Sequence, residues 1–230
     1  MNSVIVMTQT SKYEARELPI VHKPLIKIEP LSFNMDLLKL NYDWILFSSK
    51  NAVKYFYKYL EKVNYTHVAT IGEKTKAYCE SLGLKVDFSP SQFSQEGFIS
   101  EFQASKGSKI LIPSSNKARP YLVDSLLNEG YKVRKIDLYE PIAWTSHVQD
   151  VLELLKRNKV SALTFASSSA VKILCEAIKP YSISLPPIFV IGRQTLTTLR
   201  NYGFTGEIAE QQTIDSLITK VKESWFKNEI

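Results

Sequence analysis

The second half of this chain repeats the punctuation of the first, and that repetition limits what it can fold into more than any other feature. Phe47-Ser-Ser-Lys-Asn-Ala-Val53 returns as Phe165-Ala-Ser-Ser-Ser-Ala-Val171, and Ile71-Gly-Glu-Lys-Thr75 returns as Ile191-Gly-Arg-Gln-Thr195. From Phe47 to Phe165 is 118 residues and from Ile71 to Ile191 is 120, so both matches share one offset to within two residues. Helical stretches then close at Gly83 and Gly203, and further amphipathic stretches begin near Ser94 and Thr213. Residues 4–31 parallel 110–142 in order and kind, with a much longer helix in the second copy. Self-similarity at a fixed offset marks a duplicated structural unit, here two similar lobes.

The pattern within each copy sets the class. Residues 4–7, 44–47, 68–71, 84–88 and 109–112 read as buried strands. Apolar residues at helical spacing predict helices over 51–63 (capped by Ser49), 74–82, 94–102 and 120–129. A short helix is expected over 8–16, and another around Leu37, Leu38 and Leu40. Strands alternating with helices argue for parallel sheets built from β-α-β units.

Two short segments stand apart. Ile26-Lys-Ile-Glu-Pro-Leu31 and Ile136-Asp-Leu-Tyr-Glu-Pro-Ile-Ala-Trp144 both alternate apolar and polar residues and both reach a Glu-Pro pair, read here as the exit from a strand. Pairing them gives an antiparallel connector over 24–32 and 135–144. The expectation is an α/β protein of two similar doubly wound parallel-sheet lobes, one from 1–23 with 145–230 and one from 33–134, with Tyr139 in the cleft.

Composition narrows the chemistry. Net charge is +6, which suits an anionic partner, but the lysines are spread rather than gathered into a stripe, and no nucleic-acid signature accompanies them. Cys79 and Cys175 lie far apart, and His22, His67 and His147 share no helical turn with each other or with a cysteine, so spacing assembles no metal site. No apolar run approaches the roughly 20 residues of a membrane span, and the first residues read as a strand rather than a secretion signal, which makes the cytoplasm the expected place. Gly-x-Ser-x-Gly, Walker A and Gly-x-Gly-x-x-Gly motifs are all missing, which removes the readings that depend on them.

In open parallel sheets, ligands bind beyond the carboxyl ends of the strands, against helix N-terminal amides. Ser48, Ser49, Thr75, Ser114, Ser115, Ser167, Ser168, Ser169 and Thr195 all follow expected strands and precede expected helices, and Lys50, Lys117, Arg119 and Arg193 lie in the same loops. Each hydroxyl could equally be a helix cap, and each cation a solvated surface residue. Tyr139 reads as connector packing or as a neutral donor, since a phenol with an ordinary pKa near 10 keeps its proton at neutral pH.

The ordered set of Phe-Ser-Ser-x-Asn-Ala-Val, Ile-Gly-x-x-Thr, Pro113-x-x-Asn116-x-x-Arg119, Val133 with Tyr139 six residues on, Phe-x-Ser-x-x-Ala-Val and a second Ile-Gly-x-x-Thr resembles the uroporphyrinogen-III synthase family over residues 44–217. That resemblance implies a cofactor-free, metal-free monomer that closes hydroxymethylbilane to uroporphyrinogen III with loss of water and inversion of the last ring, by way of an azafulvene and a spiro intermediate. It implies a leaving-group tyrosine at Tyr139, threonines at Thr75 and Thr195, loop serines at Ser49 and Ser167, and an arginine at Arg119. Ser48, Ser114, Ser168 and Arg193 join them as substrate-binding candidates from the loops. The expected partner is the polycarboxylate substrate, with the bilane-forming enzyme as a protein candidate and neither nucleic acid nor membrane involved. A two-lobed anion- or tetrapyrrole-binding module without catalysis is the competing reading. The chain departs from the family after its first strand, where Thr8-Gln9 stands in place of a threonine followed by arginine, and in a shorter first helix.

Overall fold

The computed structural model describes residues 3–11, 13 and 18–227, apart from the side chains of 226 and 227. In chain order the strands are β1 (Val4–Met7), β2 (Ile20–His22), β3 (Ile26–Pro30), β4 (Asn41–Phe47), β5 (Asn64–Thr70), β6 (Lys109–Ser115), β7 (Lys132–Ala143), β8 (Val160–Phe165), β9 (Ile188–Val190) and β10 (Glu207–Ile208). The α-helices are α1 (Lys50–Phe56), α2 (Glu73–Ser81), α3 (Gln95–Glu101), α4 (Tyr121–Asn128), α5 (Thr145–Lys156), α6 (Ser168–Ile178), α7 (Arg193–Asn201) and α8 (Ile214–Lys227). The chain divides into two compact units, Met1–Lys27 with Ile142–Ile230, and Ile28–Pro141.

In the unit built from both chain ends, the sheet runs β10-β9-β8-β1-β2 with every pairing parallel. Numbered along the chain that is the order 2-1-3-4-5 of doubly wound sheets, whose strand order reverses between β1 and β8. The middle unit orders its strands β3-β7-β6-β4-β5. Its β7-β6-β4-β5 part is parallel and matches β2-β1-β8-β9 of the other unit, so the duplication inferred from spacing reappears as the same order of strands. The equivalent turns share one geometry too: Gly83 and Gly203 end α2 and α7 at φ of 79° and 81°, a left-handed conformation open to glycine.

Both faces of each sheet are covered, which explains why the strands read as nearly unbroken apolar runs. On β4, Ile45 and Phe47 pack with Val53, Phe56 and Cys79, while Leu46 between them packs on the opposite face with Phe98, Leu122 and Leu126. In the other unit, Val6 joins Val171, Leu174 and Val190, whereas Ile5 and Met7 join Phe189, Leu217 and Ile218. Burying one such side chain contributes about 1.5–3 kcal/mol, and the alternation gives each strand two cores to fill.

Several local expectations change. Residues 84–88 form only an isolated bridge from Phe88 to Ala69, too little pairing for a strand. The helix expected to run to residue 63 is α1 followed by a 3-10 stretch, Tyr57–Lys62, and the leucines before β4 form a 3-10 turn, Met35–Lys39. The helix expected over 8–16 falls partly on residues 12 and 14–16, outside the described residues, and 8–11 are not helical.

Of the two Glu-Pro pairs, only the first is a strand exit. β3 ends on Pro30 itself, and β7 continues through Glu140 and Pro141 to Ala143. Leu31 N–H donates to Leu138 O, and Trp144 N–H to Leu25 O, which makes the β3-β7 pairing antiparallel with 29 opposite 140. The alternation of that ladder turns the nitrogens of Pro30 and Pro141 away from the shared hydrogen bonds. Pro30 faces the free edge and Pro141 lies past the end of β6, so neither missing N–H costs a bond.

Candidate functional site

The candidate residues collect at the carboxyl ends of the parallel strands, each unit with its own rim. In the middle unit, β4 runs out at Phe47 and Ser48, and Ser49 caps α1: its Oγ accepts from Ala52 N–H at 3.1 Å. The same oxygen lies 2.8 Å from the Tyr139 hydroxyl on β7. A serine Oγ that already accepts a helix amide still has its own proton to give. When Ser49 donates to the phenol oxygen, the phenol O–H is left free to point at another group.

Tyr139 reaches Ser49 because β7 carries a bulge. Ser114 pairs with Asp137 but Ser115 pairs with Tyr139, so Leu138 is the extra residue. Strand alternation would put neighbours on opposite faces; the bulge instead buries both Leu138 and Tyr139 in the core that holds Phe47, Val53 and Phe56. Asn116 fixes the bend, its N–H donating to Tyr139 O at 3.0 Å and its Nδ2 to Glu140 Oε2 at 2.9 Å. Tyr55 of α1 stacks on Tyr139 with ring centroids 5.6 Å apart. Burial pushes the Tyr139 phenol above its ordinary pKa, the Ser49 bond pulls it back, and Tyr55 adds a further upward push, so it is neutral at pH 7.

The rest of this rim divides. Thr75 sits in the first turn of α2, buried, and its hydroxyl has no hydrogen-bond partner among the described residues. Gly72 at the start of α2 supplies no side-chain cap, which leaves the leading amides of that helix open to an oxygen from outside. Ser114, expected in the loop, belongs to β6 and is 3% exposed, because the strand continues through Pro113. Arg119 is exposed but engaged, with its guanidinium 3.2 Å from Glu96 at the start of α3. Lys50 and Lys54, one turn apart on α1, lie 5.0 Å from the Tyr78 ring and 5.5 Å from the Tyr55 ring, and Lys54 brings positive charge beside the stacked Tyr55.

The other unit repeats the design without the phenol. Ser167 caps α6 by accepting from Ala170 N–H at 3.2 Å, as Ser49 does for α1. Ser168 Oγ donates to Gln194 O at 3.3 Å, tying the first turn of α6 to the first turn of α7, which carries Arg193 and Thr195. Thr195 is as buried as Thr75, and α7 opens on Gly192 with no side-chain cap, as α2 opens on Gly72. After β1, Thr8 Oγ1 donates to Thr164 O at 2.7 Å, and Gln9 is 6% exposed.

Ser49 with Tyr139, and Ser168 with the first turn of α7 that carries Arg193 and Thr195, are thus the groupings the fold makes directly. Tyr55, Asn116 and Glu140 were missed by reading the sequence. Tyr55 was visible as six residues beyond Ser49, but its stacking on Tyr139 depends on the bulge, which has no sequence signature. Among the described residues no group of three His, Cys, Asp or Glu side chains could hold a metal ion, and no helix is long and apolar enough to cross a membrane.

Together these features define a class: a duplicated doubly wound α/β protein that offers hydroxyls, helix amides and a shielded neutral phenol at the ends of its strands. The chain belongs to the uroporphyrinogen-III synthase family, whose model, described as uroporphyrinogen-III synthase HemD, matches residues 9–219. It is 26% identical over 218 residues to the porphyrin biosynthesis protein HemD of Ruminiclostridium josui, an alignment that takes in 88% of this chain and 43% of that protein. This chain therefore spans less than half the length of that relative. It is 25% identical to the uroporphyrinogen-III synthase of Synechococcus elongatus, with 90% of this chain and 86% of that protein aligned. Its fold resembles the crystal structure of uroporphyrinogen-III synthetase from Helicobacter pylori 26695, at a TM-score of 0.70 and 18% identity, covering 97% of this chain and 99% of that one.

Proposed function

We propose that this chain closes hydroxymethylbilane to uroporphyrinogen III, with loss of water and inversion of ring D. The observation that carries this reading is the Tyr139 hydroxyl, 2.8 Å from a serine that caps a helix at the end of β4, in a chain of this family. In the proposed step the C–O bond of the hydroxymethyl group breaks, Tyr139 gives its proton to the departing oxygen, and water leaves an azafulvene behind. The substituted carbon of ring D attacks that centre to form the spiro intermediate. One ring bond then breaks and recloses with the ring inverted, and the proton lost on rearomatisation restores the phenol. Ser49, by donating to the phenol oxygen, stabilises the phenolate that exists between those two transfers.

The remaining residues hold the substrate. Acetate and propionate groups suit the open amides of α2 and α7 and the hydroxyls of Thr75 and Thr195, with Ser48, Ser167, Ser168 and Arg193 at the same strand ends and Arg119 available once it releases Glu96. Folding a flexible bilane so that its terminal carbon meets ring D supplies much of the acceleration, since such positioning is worth up to about 7–11 kcal/mol. The same reading gives a monomer that works in the cytoplasm without a cofactor, and the bilane-forming enzyme is its candidate partner.

The test is to mix purified protein with freshly made hydroxymethylbilane and separate isomers I and III. Isomer III in excess is expected. Isomer I alone, the product of spontaneous closure, would refute catalysis and leave a protein that only binds the tetrapyrrole or another anion.

A further inference from the structure

At the opposite end of the middle unit's sheet, where its strands begin, lies a cavity of about 340 Å³ lined by Lys39, Leu40, Tyr42, Lys109, Lys132 and Arg134 among others. It is separated from the Ser49 end by the seven-residue length of β4, roughly 20 Å. Lys109 on β6 and Lys132 on β7 are direct partners in the parallel ladder, and Arg134 follows on the same face as Lys132, opposite Leu111. Adjacent strands lie about 4.8 Å apart, and like charges placed side by side at that spacing repel. An isolated fold gains nothing from that arrangement.

The charges are not neutralised within the unit. Lys39 is held by Asp36 at 2.7 Å, but Lys109, Lys132 and Arg134 have no ion-pair partner among the described residues. The nearby carboxylate, Asp43, accepts from the backbone N–H of Lys109 at 2.7 Å. Opposite the cations the wall is apolar: Leu40 is 46% exposed, and the Tyr42 ring is buried with its hydroxyl turned away to donate to Leu37 O at 2.8 Å. The charge of Arg134 is felt at that phenol, where it pulls against the upward push of burial.

We propose that this cavity is a second anion site, distinct from the rim of hydroxyls, which takes a small organic dianion. A phosphate or a pair of carboxylates would sit among Lys109, Lys132 and Arg134, and the apolar body of the ligand would lie on Leu40 and Tyr42. Bound there, the dianion removes the repulsion between Lys109 and Lys132 and covers a leucine that now faces solvent.

Phenyl phosphate is the probe, followed by amide NMR shifts of the full chain at constant ionic strength, with inorganic phosphate and sodium chloride titrated in parallel. Saturable shifts centred on Tyr42, Lys109 and Lys132 are expected. Lys132→Ala with Arg134→Ala should weaken binding about tenfold or more, and Lys109→Gln should weaken it several-fold, since each removes a charge-assisted contact. All three side chains are exposed, so the variants keep the fold, which a melting temperature no lower than the parent's confirms. Shifts that do not saturate, that chloride reproduces, or that persist in the double variant would overturn the site. Inorganic phosphate binding as tightly as phenyl phosphate would overturn the organic ligand and its apolar wall.

Discussion

Changing Tyr139 to Phe removes one oxygen and little else. The ring keeps its stack on Tyr55 and its place in the core, and Ser49 still accepts from Ala52 N–H, although its own half-buried hydroxyl loses the phenol as acceptor. Stability should fall by about 1 kcal/mol, the net worth of one hydrogen bond, or roughly 2–4 °C in melting temperature for a chain of this size. Turnover should suffer more. A hydrogen bond to a group that develops charge is worth about 1.5–3 kcal/mol, and at 1.36 kcal/mol per decade that is a loss of about tenfold to a hundredfold in kcat. KM should change by less than about twofold, because the phenol acts on the departing oxygen and not on the carboxylates. The parent's rate should also fall at alkaline pH, above the ordinary phenol range because burial raises this group, and the variant should lack that limb. The assay is the initial rate of isomer III formation with fresh bilane from pH 7 to 11. A variant with parental kcat and an unchanged alkaline limb would remove Tyr139 from the mechanism.

Ser49→Ala and Ser167→Ala each delete a helix cap and should each cost about 1 kcal/mol in urea unfolding, but only Ser49→Ala should also lower kcat, since only Ser49 touches the phenol; equal kcat losses in the two would refute the distinction. Gly83→Ala and Gly203→Ala place a side chain at φ of 79° and 81° with nothing nearby to clash, so each should cost about 1–2 kcal/mol from backbone strain alone, again read by urea unfolding. A cost at one glycine and none at the other would count against the equivalence of the units. Burial pushes the thiols of Cys79 and Cys175 up to about 11. Because the folded state holds these protons more tightly, that contribution to stability is intact below pH 9 and is lost as pH rises through about 11. At pH 8 both should react with a thiol reagent only as fast as the chain opens; labelling as fast as free cysteine would refute their burial.

Much of the fold was legible because it rests on local rules. The offset near 118 residues, the apolar runs and the glycines after α2 and α7 are enough to give two α/β units with like strand order, since a buried parallel strand and a left-handed helix end each leave a mark in sequence. Ser49 and Ser167 were readable as caps for the same reason. The second Glu-Pro pair misled because whether a proline ends a strand depends on which way its nitrogen faces in a ladder, and that is set by the partner strand. Ser114 was placed in a loop because the strand was read only to Ile112, although β6 runs on through Ser115.

Residue types and their order along the chain determined the architecture, the family and the short list of hydroxyls. Tertiary structure alone decided which of them meet: the bulge at Leu138 turns Tyr139 toward Ser49, and Glu96 occupies Arg119. It also decided that four cations share one cavity at the start of the strands. Such pairings join residues up to 90 positions apart through strand register, and register is a property of two segments together, which neither segment encodes by itself.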